Sequence, residues 1–271
     1  MTLAISVIVT TYNRPDALAA TLRGLAAQAD RQFEVIVADD GSTSETSDFI
    51  REIQQSFPVP LQHVWHADQG FRAAAITNRA INQSTGDYIV LMDGDCIPRS
   101  CFINWQRKLA QPGWMVGGNR ILLEEDFTRR ILKEELPVHL WKRNQWIKPR
   151  LRGWTNRMLP ILVTLPDGRW RCKRPRDWRS LRTFSMAVHR EDLFNVNGLD
   201  EAYTGWGSQD SDLIIRLMHS GVRVKSGRHA SPVLHLWHPA LSRDDAAGNR
   251  TELDEVIKSH RIRARKGLLD Q

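Results

Sequence analysis

Four short apolar runs, three of them closing on a polar cluster and each followed by residues at helical spacing, constrain this chain more than any other feature. Residues 5–13 (Ile5-Ser6-Val7-Ile8-Val9-Thr10-Thr11-Tyr12-Asn13), 33–38, 61–65 and 87–93 read as buried strands. Arg14-Pro15-Asp16 opens a helix in which Leu18, Leu22 and Leu25 recur at helical spacing. A second helix is expected over about 44–55, and a third over 70–84, carrying Ala74, Ala75, Ile76, Ala80 and Ile81. Such alternation predicts an α/β chain with a mainly parallel sheet flanked by helices. Right-handed crossovers bring the strand ends to one rim, where these sheets bind ligands. Thr11-Tyr12-Asn13, Asp39-Asp40 and Asp93-Gly94-Asp95 are therefore expected together.

On an extended backbone, side chains two apart share a face, so Asp93 and Asp95 point to one place. Paired oxygen ligands suit a hard divalent cation such as Mn²⁺ or Mg²⁺, and a cation suits a diphosphate. A polar turn after a buried strand is the competing reading. The chain has neither a Gly-rich dinucleotide fingerprint nor a Gly-Lys-Ser/Thr phosphate loop, so a metal is expected to hold any phosphates.

Further along, a helix is expected from just after Ser100 to about Ala110 and a strand over 114–118, with another strand at 183–188. Gly205-Trp206-Gly207-Ser208-Gln209-Asp210-Ser211-Asp212 leads into a helix with Leu213, Ile214, Leu217 and Met218 as its apolar face. Asp210, three before Leu213 and four before Ile214, lies on that inward face; a helix-terminus interaction is the alternative. Asp212 is four before Arg216 and reads as a surface ion pair. Residues 222–225 and 232–237 are expected strands. His235 and His238 lie three apart on the latter, where an extended backbone would turn them to opposite sides. By that reading His235 is a packed histidine and His238 stands at the strand's end. A basic amphipathic helix over about 251–266 closes the sequence.

Charge is unevenly placed. Residues 119–182 hold seventeen Lys/Arg against seven Asp/Glu, a local +10 in a chain of net +7, which leaves the remainder at −3. Five of the ten tryptophans, Trp141, Trp146, Trp154, Trp170 and Trp178, fall there too. Pro137, Pro149, Pro160 and Pro166 break up the segment, which reads as an insertion of short helices and loops. The organisation expected is one domain over 1–271: a nucleotide-sugar-binding half (1–118), the basic insertion (119–182) and a catalytic and acceptor half (183–271). Three cysteines without metal-ligand spacing fit reduced thiols. The first strand lacks the basic leader of a signal peptide, and no run approaches the length of a membrane span. A cytoplasmic protein is expected.

Taken together, these residues resemble the family 2 glycosyltransferases of GT-A (Rossmann-like) fold. The resemblance rests on Val7-Ile8-Val9-Thr10-Thr11-Tyr12-Asn13-Arg14-Pro15, on Val37-Ala38-Asp39-Asp40-Gly41-Ser42, and on Gln69-Gly70-Phe71-Arg72-Ala73-Ala74-Ala75 with Asn78. Asp93-Gly94-Asp95 is similar to the family's metal-binding DxD. Residues 205–212 are similar to a motif of galactosyltransferases and chondroitin-type polymerases.

The resemblance implies an inverting, metal-dependent transfer from a nucleoside-diphosphate sugar, with uridine the usual base. Thr11, Tyr12, Asn13 and Arg14 would line the base pocket, Asp39 would bond the base and Asp40 assist. Arg72 and Asn78 would lie near ribose or phosphate. Asp93 and Gly94 would meet the donor, and Asp95, with Asp93 and His238, the metal, preferably Mn²⁺. Asp210 would be the catalytic base, and Trp206, Gly207 and Gln209 would face the acceptor, a glycan or lipid-linked sugar of a bacterial cell-surface pathway. Two departures stand out: Gln209 replaces an acidic residue, and Thr183-Phe184-Ser185-Met186 replaces a Gly-x-Asn.

Other classes account for less. A nucleic-acid binder explains the basic aromatic segment but not three acidic clusters, which repel phosphates unless a metal bridges them, so no nucleic-acid partner is expected. A nucleotidyltransferase would share the metal logic but lacks its Gly-rich loop here. Peripheral contact with an anionic membrane is compatible with catalysis.

Overall fold

A computed structural model describes residues 2–203, 205, 207–239 and 246–270. Strands β1 (Ile5–Thr11), β2 (Phe33–Asp39), β3 (Leu61–Trp65) and β4 (Tyr88–Asp93) alternate with helices α1 (Pro15–Ala26), α2 (Ser44–Gln54) and α3 (Ala73–Gln83). Then come β5 (Cys96–Pro98), α4 (Phe102–Leu109), β6 (Trp114–Gly117), β7 (Arg120–Leu122) and α5 (Glu125–Lys133). Short helices α6 (Ile147–Leu151) and α7 (Leu159–Leu162) lie among 3₁₀ turns, and β8 (Ser185–His189) and α8 (Arg190–Asn195) follow. Helix α9 (Gln209–His219), β9 (Arg223–Ser226), β10 (Val233–His235) and α10 (Ala246–Ser259) complete the order.

Seven strands form one sheet in the order β3-β2-β1-β4-β8-β6-β9. The first four are mutually parallel, and β8 is antiparallel to both neighbours. Both faces are buried, so β1 alternates between two cores: Val7 and Val9 pack with Val35, Val37 and Val90, while Ile8 packs with Ile36, Ile89 and Leu91. This double burial is why the strands read as unbroken apolar runs. The chain moves outward from β1 to β3, then crosses back to place β4 on the other side of β1. That reversal is the switch point at which such sheets open a crevice. Register fixes what meets there: Thr11 pairs with Asp39, and Thr10 pairs with Asp93.

A second sheet, β5-β10-β7, lies beyond the DxD. Segment 119–182 is woven into the molecule and does not hang from it, because β7 is one of these strands. The core beneath it joins Phe127, Ile131 and Trp146 to Ala17, Ile97 and Leu234 from outside the segment. Trp146 is fully buried, Phe127 stacks on Trp154 at 5.0 Å between ring centroids, and Trp141 and Trp178 are partly buried against cores. These tryptophans are therefore spent on packing.

Several expectations are corrected. The last strand runs only from Val233 to His235, and the closing helix ends at Ser259, where His260 takes φ 54° and the chain turns back. Asp212 and Arg216 are fully buried and 2.6 Å apart, not a surface pair. Arg216 also donates to the Val196 carbonyl, Arg261 reaches both Asp212 and Asp200, and Arg265 reaches Asp200. The C-terminal segment is thus clasped onto α9 through charges the sequence spacing alone placed at the surface.

Candidate active site

At the crevice, Gly94 lets the chain pass close to β1. Its N–H donates to the Thr10 carbonyl at 2.7 Å, and a Cβ there would lie 2.8 Å from that same oxygen. A larger residue between the two aspartates would push them off the strand end. Asp93 is half-buried, and its carboxyl is pushed up to about 8, first by burial and then by Asp95 and Asp210, with Arg120 pulling it down. Asp210, the second residue of α9, is thereby placed within electrostatic reach of the DxD. Its Oδ2 accepts the Thr183 N–H at 3.2 Å. The turn before it needs left-handed backbone at Gly205, Gly207 and Ser208. Gln209 heads α9, and Trp206 lies outside the described residues.

The two histidines converge, against the expectation of opposite faces. Extended pairing stops at His235, which lies opposite Cys96. The Leu236 N–H then donates to the Asp95 carbonyl, and the Trp237 N–H to Thr128 Oγ1, both at 2.9 Å. The chain so curls around Asp95 that alternation no longer applies. His235 Nε2 lies 3.8 Å from Asp95 Oδ1, and His238 Nε2 lies 3.4 Å from Asp95 Oδ2. One ligand atom from each of the three residues fits within a 4.8 Å cluster.

This set suits a divalent cation. Ligands about 2.1 Å from an ion are roughly 3.0 Å apart when cis and roughly 4.2 Å apart when trans, and the observed separations fall between. Burial lowers the pKa of His235, which keeps its imidazole neutral, the form that ligates. Burial, with Asp95 and Asp93, drives the Cys96 thiol well up, which disfavours a thiolate ligand.

On the other side of the crevice the strand ends of β1, β2 and β3 make a second polar group. Tyr12 is half exposed and donates its hydroxyl to Asp68 Oδ2 at 3.0 Å. Gly41, at φ 92°, sits where a Cβ would strike Asp68 Cα at 2.6 Å. Asn13, at φ 48°, is pinned to the second strand end: its N–H donates to Ser42 Oγ, and its Oδ1 accepts the Thr43 N–H. Arg14 is turned to Asp16. Asp39 is fully buried, between the Ser42 N–H at 2.8 Å and His63 Nε2 at 2.9 Å. Asp40 faces His66 Nε2 at 2.7 Å and accepts the Arg72 N–H at 2.9 Å; burial nevertheless raises its pKa. In this conformation both carboxylates brace the strand ends from beneath.

Arg72 directs its guanidinium to Gln69. Asn78 is fully buried, and its amide bonds Leu199 N and O and Glu201, far along the chain. In this conformation it holds the Leu199 loop. Sequence reasoning missed His63, His66 and Asp68, although the third strand closes on a polar cluster like the other three. It also missed Arg120 and the Thr183 N–H, which no spacing announces.

The architecture is that of the GT-A glycosyltransferases. A mannosyltransferase from Pyrobaculum calidifontis, solved with GDP-Man and Mn²⁺, superposes with a TM-score of 0.59 at 19% identity, over 98% of this chain and 66% of that one. S. aureus TarS 1-349 in complex with UDP gives 0.62 at 15% identity, over 98% and 68%. In sequence, the glycosyl transferase family 2 profile matches residues 6–170, and that of the N-terminal domain of galactosyltransferase matches 169–239. The chain belongs to glycosyl transferase family 2. Validoxylamine A glucosyltransferase of Streptomyces hygroscopicus subsp. limoneus is 27% identical over 237 residues, covering 83% of this chain. The chain spans about half the length of that relative.

Proposed function

We propose that this glycosyltransferase inverts the anomeric centre of a nucleoside-diphosphate sugar, with UDP as the carrier, and passes the sugar to a hydroxyl of a glycan or lipid-linked acceptor. The observation that carries the reading is the meeting of Asp93, Asp95, His235 and His238 with Asp210 at the β1/β4 switch point. Asp95, His235 and His238 would hold a divalent cation, and Asp93 would face the donor. When bound, the cation supplies neutralisation of the charge that grows on the departing diphosphate. Two imidazoles make the set softer than a carboxylate pair, which favours Mn²⁺ over Mg²⁺.

Asp210 takes the proton from the acceptor hydroxyl as it attacks C1 from the face opposite the diphosphate. The Thr183 N–H steadies the carboxylate and leaves Oδ1 for the acceptor. Tyr12, with Asp68 behind its hydroxyl, offers the exposed ring against which a base can lie.

Acceptor delivery is read from the basic segment. No acidic residue occurs between Glu135 and Asp167, a stretch with Lys142, Arg143, Lys148, Arg150, Arg152 and Arg157. Ile147 and Leu151, one helical turn apart on α6, are 48% and 83% exposed. Apolar side chains amid cations fit an anionic membrane face carrying a lipid-linked acceptor, at the cytoplasmic surface. Among the described residues no helix is long and apolar enough to cross a membrane.

The test is a panel of nucleotide sugars assayed for Mn²⁺-dependent hydrolysis and transfer, with Asp210→Asn beside the parent. Retained donor binding with turnover reduced by roughly 10²- to 10⁴-fold supports the base assignment. Near-parental transfer by Asp210→Asn returns Asp210 to a helix-terminus role.

A further inference from the structure

Arg120 opens β7 and is half-buried, yet its guanidinium makes no hydrogen bond or ion pair with any described residue. The other inward arginines differ. Arg171 is taken up by the carbonyls of Leu165, Ser226 and Arg228, and Arg216 by Asp212 and Val196. None of the Arg120 nitrogens is among the buried side-chain atoms left without a partner, so the fork is open to solvent and to a ligand.

Its position is defined. The guanidinium carbon lies 4.7 Å from the centroid of the Phe184 ring. Phe184 lies between Thr183, whose N–H holds Asp210, and Ser185, which pairs with Met92 beside Asp93. The register of β7 with β10 sets Arg120 opposite Val233, two residues before His235. Arg120 thus stands where the strand ends bearing the donor carboxylate, the base and the histidines come together. Its charge is felt at Asp93 and His235, whose pKa values it lowers. On the residues flanking the stack, Asn119 Oδ1 and Ser185 Oγ are buried without a partner among the described residues.

The charge balance says what this group awaits. The carboxylates of Asp95 and Asp210 share one crevice with the Asp93 carboxyl, which is pushed up to about 8, and a nucleotide sugar adds the two charges of its diphosphate. One divalent ion does not offset that sum, and an arginine fork matches the geometry of an oxyanion. We propose that Arg120 binds an oxyanion of the donor, either a diphosphate oxygen or the carboxylate of a uronic-acid sugar. The proposal rests on the nucleotide-sugar reading above and adds a specificity residue to it.

Calorimetric titration of the full chain in Mn²⁺ with UDP, GDP, UDP-glucose and UDP-glucuronate tests it, with thermal unfolding of the ligand-free protein alongside. Arg120→Gln is expected to unfold near the parent temperature. A loss of roughly tenfold or more for UDP or GDP assigns the diphosphate. A like loss confined to UDP-glucuronate assigns the sugar carboxylate. Parental affinity for all four probes in Arg120→Gln overturns the proposal while leaving the donor reading intact. A parent chain that binds none of the four removes the donor reading, and this proposal with it. Should Arg120→Gln not fold, Arg120→Met, whose unbranched stem still covers Phe184, gives the same reading.

Discussion

His238 Nε2 stands 3.4 Å from Oδ2 of Asp95. His235 reaches the other oxygen of the same carboxylate, at 3.8 Å. The separations suit two bonds to one ion better than two hydrogen bonds, so both histidines are expected to ligate. His235→Ala and His238→Ala should each weaken Mn²⁺ binding by roughly tenfold or more, measured without nucleotide. Parental Mn²⁺ affinity in either variant would remove that histidine from the shell.

The Asp212–Arg216 pair is buried on both sides, and Arg261 is shared between Asp212 and Asp200. Removing one member leaves an uncompensated charge in the interior. Asp212→Ala should therefore cost about 3–5 kcal/mol in unfolding by urea. A surface pair would cost less than about 1 kcal/mol, and a loss that small would contradict the buried network.

Glu34 gives the stability its pH dependence at the opposite end of the sheet. Burial raises its pKa, but the Ser6 hydroxyl and the Thr85 N–H and hydroxyl outweigh burial, and the net shift is downward. A lowered folded pKa contributes stability that is full above the unfolded value of about 4.3 and disappears as pH falls through the folded value. Urea midpoints of the parent should exceed those of Glu34→Gln at pH 7, and the gap should close below about pH 4. A gap constant from pH 7 to pH 3 would sink this account.

Ile147 and Leu151 predict the membrane behaviour. Sedimentation with vesicles rich in anionic lipid should retain the parent at low salt and release it as salt screens the arginines. Ile147→Glu combined with Leu151→Glu should abolish retention without lowering thermal stability, since both side chains are exposed. Salt-insensitive retention, or retention by the double variant, would point away from this face.

Much of the fold over residues 1–118 was legible because its strands are buried on both faces and end in polar residues. Asp93 and Asp95 do lie together, but Gly94 and Asp95 form a turn after β4 and not a continued strand. His235 and His238 could not be placed together, because the bend at Leu236 depends on hydrogen bonds to Asp95 and Thr128, far off in sequence. For a related reason, composition shows that Trp141, Trp146 and Trp154 cluster, but not that Phe127 gathers them into a core. Asp212 and Asn78 show the same limit. Spacing identifies a partner four residues away, as for Asp212 and Arg216, but not the Asn78 contacts at Leu199 or the Arg261 that reaches Asp212 from the C-terminal segment.

The claim that the crevice binds a nucleotide sugar through a metal held at Asp95 is tested most directly by titrating UDP into the chain with Mn²⁺ and after its removal by chelation, in the parent and in Asp95→Ala. The account predicts tight binding to the parent only with Mn²⁺, and weak, Mn²⁺-independent binding to the variant. Equal UDP affinity with and without Mn²⁺, or parental affinity in Asp95→Ala, would contradict it.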